Sequence, residues 1–287
     1  MKKGIVFIKG GFGNQLFQLS FANYLKENGY KVFINTYLLN IQNSDTHRQL
    51  VLPLSNFNFK SQGLISKLLF YINHKLETTE LVRSSFLYSY FKNFKYTKAD
   101  SFSVDNKSKV IYFNDYWKDM IYADFSKDFI LNSLQKNQDI TDGLNKNNNK
   151  VLIHVRRTDF LLNGWNLNED FYKKSLKILN EKLDSFDYDI FTDDKNWVKE
   201  KNIFLNAKNV FTQKNFSNKE EEKNDILKTF GRMLQYKHFI VGNSTFAFWA
   251  AFIKSDAESI CIVPDPWFRN HSHPVLKKEE WITVENI

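Results

Sequence analysis

The chain has little sulfur chemistry available to it. One cysteine stands in 287 residues. A disulfide framework within a monomer is therefore excluded, and a reducing compartment fits. Cys261 lies in the apolar run Ser259-Ile-Cys-Ile-Val-Pro264 and reads as a small buried hydrophobe. No apolar run approaches the eighteen or so residues of a membrane-spanning helix. The amino terminus, Met1-Lys-Lys, leads straight into Gly4-Ile-Val-Phe-Ile8, too short an apolar stretch for a signal peptide and the right length for a first strand. A soluble, cytoplasmic protein is expected, with peripheral membrane contact left open. No repeat of solenoid length is present. The net charge is +8, but lysines are dispersed among Asn, Glu and aromatics. A dense basic arm of the kind that tracks nucleic acid is missing, so the excess charge points to acidic small substrates or an anionic membrane surface, with a non-enzymatic module for nucleic acid or anionic glycans as the competing reading.

What is present is an alternation of strands and helices. Ile5–Ile8 reads as a strand, Gly10–Gly13 as a turn, Asn14–Lys26 as a helix and Tyr30–Ile34 as a second strand, the opening of a doubly wound sheet. The stretch from 42 to 105 is harder to read, with a helix expected over 64–76. A strand is expected at Val110–Phe113 and a helix over Phe125–Asn137. The polar segment Asn145–Lys150 reads as a linker. A second alternation follows, with strands at Val151–Val155, Tyr188–Phe191, near Val210, His238–Val241 and Ser259–Val263, the last closing the series. Helices are expected over Asp170–Leu183, Asn196–Lys201, Lys219–Tyr236 and Thr245–Lys254. The fold class is thus α/β, with two Rossmann-like domains, 1–145 and 151–287, facing a central cleft.

The most informative stretch is Val151-Leu-Ile-His-Val-Arg-Arg-Thr-Asp159. A buried strand of an α/β protein delivers ligand-binding groups at its carboxyl end. Side-chain alternation puts His154 and Arg156 on one face. Two guanidiniums there fit a phosphate or diphosphate. The alternative is that Arg156 and Arg157 pair with Asp159 and a surface carboxylate.

Two further glycine-containing turns sit between a strand and a helix. Gly10-Gly-Phe-Gly-Asn-Gln15 is neither a dinucleotide fingerprint, because Leu16 stands at the third glycine position, nor a Walker loop. It is either an ordinary tight turn or a ligand loop in which Asn14 and Gln15 read sugar hydroxyls. Gly242-Asn-Ser-Thr-Phe246 is a small polar loop; Asn243, Ser244 and Thr245 would make a phosphate nest, with Ser244 capping the helix in either case. In Phe191-Thr-Asp-Asp-Lys195, adjacent strand residues face opposite sides, so Asp193 and Asp194 suit a metal poorly. One is expected to accept hydrogen bonds from a ligand and the other to cap the helix near Asn196; both serving as caps and turn formers is the competing reading. His271-Ser-His-Pro274 reads as surface loop, and no metal site is expected.

Together, Gly-Gly-Phe-Gly-Asn-Gln-Leu-Phe-Gln, His-Val-Arg-Arg-Thr-Asp, Phe-Thr-Asp-Asp and Asn-Ser-Thr-Phe-Ala-Phe-Trp-Ala-Ala resemble the bacterial α-1,2-fucosyltransferases of glycosyltransferase family 11, over nearly the whole chain. The resemblance implies a GT-B fold, GDP-L-fucose as donor, inversion at the anomeric carbon, no cofactor or metal, and a galactose-containing or lipid-linked glycan as acceptor in surface polysaccharide synthesis. It implies that the carboxyl-terminal half binds the nucleotide. Arg156 would hold the β-phosphate, His154 and one of Asp193 and Asp194 would lie near the nucleoside, Ser244 and Thr245 would touch phosphate, and Asn14 and Gln15 would close the site. Asp159 is the nominee for the base, against a structural role beside Arg157. The chain departs from the pattern at Thr158, often Gly in the family, and at Tyr112–Trp117, where relatives show an aromatic followed by Gln-Ser.

Overall fold

The computed structural model describes residues 2–39, 49–63, 94–97 (backbone alone), 110–212, 218–270 and 272–286. The helix expected over 64–76 and His271 lie outside these residues. The chain divides into two compact units, Met1–Ser133 and Leu134–Ile287.

In unit 1, β1 (Lys3–Phe7), β2 (Lys31–Asn35), β3 (Lys60–Ser61), β4 (Phe94–Thr97) and β5 (Val110–Phe113) form a sheet of order β3-β2-β1-β5-β4. All of its recorded pairings are parallel. The central strand is buried on both faces, which its run Gly4-Ile-Val-Phe7 requires. Helix α1 (Phe12–Glu27) follows the first turn. Its buried polar groups are matched locally: Ser126 Oγ donates to Ser20 O at 2.9 Å and accepts from Asn23 Nδ2 at 3.2 Å. An unexpected α2 (Met120–Phe125) precedes the helix expected over 125–137, which is found as α3 (Lys127–Leu134), shorter at both ends, with the fully buried Ser126 between the two. Trp117 adopts φ +52°, and its ring stacks on Phe21 at 3.7 Å with an interplanar angle of 1°.

Unit 2 opens with α4 (Gln138–Leu144), capped by Asn137. The segment read as a linker is structured. Lys254 Nζ donates to the carbonyls of Leu144 and Lys146, at 2.9 and 2.8 Å, and β6 (Asn148–Val155) already begins at Asn148, whose N–H reaches Gln235 O at 2.7 Å. Its polar side chains are exposed or half-buried while its backbone is paired, a combination that composition cannot separate from a linker. The remaining elements are α5 (Thr158–Leu162), α6 (Glu169–Lys182), β7 (Tyr188–Thr192), α7 (Lys195–Glu200), β8 (Asn209–Thr212), α8 (Lys219–Met233), β9 (Tyr236–Ile240), α9 (Thr245–Lys254), β10 (Cys261–Asp265) and β11 (Ile282–Glu285). Strands β3, β4 and β11 were not expected from the sequence. Helix α8 ends three residues before Tyr236, which instead starts β9 and donates its hydroxyl to the buried Asp189 on β7 at 2.6 Å.

Read from β8, the second sheet runs β8-β7-β6-β9-β10-β11, with parallel pairings throughout. The chain winds outward from β6 in one direction, then returns to β9 and winds outward in the other. This is the doubly wound Rossmann order, and its reversal lies between β6 and β9. The core on one side of this sheet is built from Val151, Ile153, Val155, Phe171, Leu179, Ile190, Ile240 and Ile262. The chain is therefore α/β with two Rossmann-like units.

Candidate active site

Open α/β sheets bind ligands outside the carboxyl ends of the strands where the winding reverses. In unit 2 that place is framed by His154–Thr158 after β6 and Gly242–Thr245 after β9. A cavity of about 630 Å³ opens beside it, over the ends of β6, β7 and β8 and under α8, lined by His154, Arg156, Phe191–Asp193, Val210–Thr212, Phe246 and the inner face of α8. His154 and Arg156 both line it, as alternation along β6 requires.

His154 is 7% exposed, and its Nδ1 is enclosed without a hydrogen-bond partner. Gly242 lies against it: a Cβ there would sit 2.9 Å from His154 O and 3.2 Å from Nδ1. Burial, reinforced by the Arg156 charge and opposed by Asp193, lowers the imidazole pKa to about 4. The ring is thus neutral at neutral pH.

The two arginines diverge. Arg156 lines the cavity, with Asp159 at 2.9 Å and Asp193 at 3.2 Å. Arg157 pairs with Asp194 at 3.2 Å, and its guanidinium packs 4.1 Å over the Trp197 ring. Both arginines thus have the carboxylate partners of the alternative reading, but only Arg156 also lines the cavity.

Asp193 is committed to the turn after β6. Its carboxylate accepts from Arg157 N (2.8 Å), Thr158 N (3.2 Å) and Thr158 Oγ1 (2.6 Å), besides Arg156. Asp194 caps α7, accepting from Trp197 N at 3.0 Å. The expected helix cap is therefore Asp194, and it has nitrogen donors on both carboxylate oxygens. Ser244 caps α9, accepting from Phe246 N at 3.3 Å, and Thr245 is the first residue of that helix. Asn243 is buried; its Nδ2 donates to Trp165 O at 2.6 Å, while Oδ1 is enclosed without a partner. Asp159 is half-exposed in the first turn of α5. Asp159, Arg157, Asp194, Asn243, Ser244 and Thr245 border the strand ends without lining the cavity itself.

Asn14 and Gln15 belong to unit 1. Gly10 takes φ +76° there, and a Cβ on it would meet Asn14 Nδ2 at 2.7 Å, so the turn requires glycine. The Gln15 amide is fully engaged in pinning backbone: Nε2 donates to Gly10 O and Gln49 O, and Oε1 accepts from Val51 N.

Residues 5–285 match the sequence profile of Glycosyl transferase family 11. The chain belongs to this family. As a family 11 glycosyltransferase it is 26% identical over 308 residues to the O-antigen biosynthesis glycosyltransferase WbnK of Escherichia coli, covering 96% of this chain and 99% of that protein. It is also 28% identical over 145 residues to an α-1,2-colitosyltransferase of the same organism, covering 48% of each. Among solved structures, it aligns with fucosyltransferase NodZ from Bradyrhizobium at a TM-score of 0.49 and 12% identity, over 88% of this chain and 93% of that one.

The far wall of the cavity escaped the sequence reading. Asp225, Lys228, Thr229 and Arg232 of α8 line it. Their spacing of three, four and seven residues places them on one helix face, a polar stripe running beside the apolar one that attracts attention. Phe211, at the end of a short strand, gave no local signal.

Proposed function

We propose that this glycosyltransferase moves L-fucose from GDP-L-fucose to the 2-hydroxyl of a galactose-like acceptor, with inversion and without a metal. The observation that carries the reading is the family match together with Arg156 at the winding reversal of unit 2, lining a cavity large enough for a nucleotide.

In this reading unit 2 takes the donor and unit 1 the acceptor. Arg156 holds the β-phosphate, with Ser244, Thr245 and Asn243 at the α9 end of the site, where a helix N-terminus favours an anion. The neutral His154 hydrogen-bonds the nucleoside. The acceptor oxygen attacks the anomeric carbon as the bond to the diphosphate oxygen breaks. The electron pair leaves with GDP, and Arg156 neutralises the growing charge. Removal of one such donor typically costs about a hundred- to thousandfold in rate. The acceptor hydroxyl proton passes to a carboxylate, for which Asp159 is the nominee. Asp193, Asp194 and Arg157 act indirectly by fixing the turn that carries Arg156. Asn14 and Gln15 shape the edge of unit 1, Gln15 through backbone rather than sugar contacts. Metal independence is supported by Asp193 and Asp194 being committed to arginines and backbone N–H groups.

The name of the curated relative WbnK supports a place in O-antigen synthesis, with a lipid-linked glycan as acceptor and the cytoplasmic membrane face as workplace. No helix among the described residues is long and apolar enough to cross a membrane. A second donor reading, colitosyl in place of fucosyl transfer, is favoured by the α-1,2-colitosyltransferase similarity.

The test is a thermal-shift series with GDP, UDP, ADP and GDP-fucose, followed by product linkage analysis by NMR. A ligand that binds the native state raises the melting temperature. A shift with GDP and GDP-fucose and an α-1,2 product are expected; no nucleotide response would overturn the proposal.

A further inference from the structure

We infer that Arg232, in the last turn of α8, reads the nucleotide base and makes the cavity selective for a 6-keto purine. The inference rests on the proposed nucleotide-sugar reading of this cavity and assigns its far end.

Arg156 has two carboxylate neighbours, whereas Arg232 has no ion-pair partner among the described residues. Its guanidinium packs 4.5 Å over the Phe211 ring, and Phe211 in turn contacts Phe191 at 4.9 Å. All three side chains line the cavity. A guanidinium seated on an aromatic face keeps its plane fixed and its N–H fork available. Arginine has five donors and no acceptor, so a fork held this way seeks two adjacent acceptors.

The spacing matches a nucleotide. Arg156 follows β6 and Phe211 lies on β8, with β7 between them. Two strand spacings amount to about 10 Å. A ligand whose diphosphate sits at Arg156 therefore brings its base, one ribose away, to Phe211 and Arg232. The O6 and N7 atoms of guanine form the acceptor pair that an arginine fork matches, whereas adenine offers N7 beside an N6 amino donor. Arg232 would meet that amino group with its own N–H and lose a bond. Hypoxanthine shares O6 and N7 with guanine and lacks only the 2-amino group.

Calorimetric titration of the full chain with GDP, IDP and ADP tests the assignment. The wild-type protein is expected to bind GDP and IDP roughly ten- to a hundredfold more tightly than ADP, the range of one bidentate base contact. Arg232→Met keeps the apolar stem on Phe211 and should collapse the preference, weakening GDP and IDP roughly ten- to a hundredfold more than ADP, which gives up only its single N7 bond. Arg232 is exposed, and an unchanged thermal melt of the unliganded variant confirms that the fold survives. An exposed cation outside the cavity, Lys199 on α7, serves as the control: Lys199→Ala should retain the GDP-to-ADP ratio. Equal affinity of the wild type for all three nucleotides overturns the inference, as does an Arg232→Met protein that keeps the ratio or weakens all three ligands equally. In each of those outcomes nucleotide binding persists and the nucleotide-sugar reading of the cavity stands. No binding of any nucleotide removes both.

Discussion

Asp193 and Thr158, 35 residues apart, are joined by a 2.6 Å hydrogen bond from Thr158 Oγ1 to Asp193 Oδ2. The same oxygen lies 3.2 Å from the Arg156 guanidinium. One carboxylate at the end of β7 therefore fixes both the turn after β6 and the arginine that the turn presents. The side chain at position 158 has a use in this turn: the Thr158 hydroxyl supplies a bond to Asp193 that a glycine could not make.

That arrangement predicts a graded series. Asp193→Asn should lower kcat/KM about a hundredfold, because Arg156 loses its positioning partner, and added Mn²⁺ should not restore it. Thr158→Val should reduce stability by about 1 kcal/mol, and Thr158→Ser by much less. Steady-state kinetics and urea unfolding read the two effects. Wild-type turnover in the Asp193 variant would contradict the positioning role.

Arg156→Ala is predicted to reduce transfer by about two to three orders of magnitude in a radiolabelled-donor assay. The folded signal in circular dichroism should persist, because the side chain lies at a ligand-accessible strand end rather than in the core. Turnover close to wild type would remove Arg156 from the proposed mechanism.

The buried His154 gives a pH signature. Its pKa falls from the ordinary 6.5 to about 4 in the folded protein, so the unfolded chain binds more protons between those values. Stability contributed by the neutral ring is fully present above about 6.5 and is lost as pH falls toward 4. Urea midpoints between pH 7 and 4.5 should therefore fall more steeply for wild type than for His154→Gln. Parallel slopes would show that the imidazole is not held neutral.

Helices α4 and α8 cross with backbone in contact. A Cβ on Gly143 would overlap the Gly231 carbonyl oxygen, and one on Gly231 would overlap the carbonyl of Asp139. Gly231→Ala should cost about 1–3 kcal/mol, lowering Tm by roughly 5 °C, and should weaken nucleotide binding because α8 forms the far wall of the cavity. Differential scanning calorimetry and titration measure both. An unchanged melt would show that the crossing is looser than described.

Cys261 is buried, and burial pushes its thiol pKa up to about 12. A thiol reagent at pH 8 should leave the native protein unmodified for hours and react at once in denaturant. Rapid native labelling would place the thiol outside the core.

Much of the second sheet was legible because buried parallel strands are near-continuous apolar runs. Val151–Val155 and Tyr188–Phe191 were found within a few residues of their observed bounds, and Thr245–Lys254 matches the observed helix. Strands β3, β4 and β11 escaped notice. Each has four residues or fewer and lies at a sheet edge, where pairing on one side leaves little local pattern. The 145–150 segment was misread for a related reason: its backbone partners, Gln235 and Lys254, lie more than a hundred or nearly a hundred residues away.

By itself the sequence determined the α/β class, the strand ends that present functional groups, and the family motifs, because these depend on periodicity and on short contiguous patterns. Tertiary structure alone decided that Arg156 enters the cavity while Arg157 turns to Trp197, that Asp193 holds a turn and Asp194 caps a helix, and that Phe211 and Arg232 meet across the far wall. Those outcomes depend on which strands lie side by side. Adjacency of that kind is set by burial of the whole sheet rather than by any local run of residues.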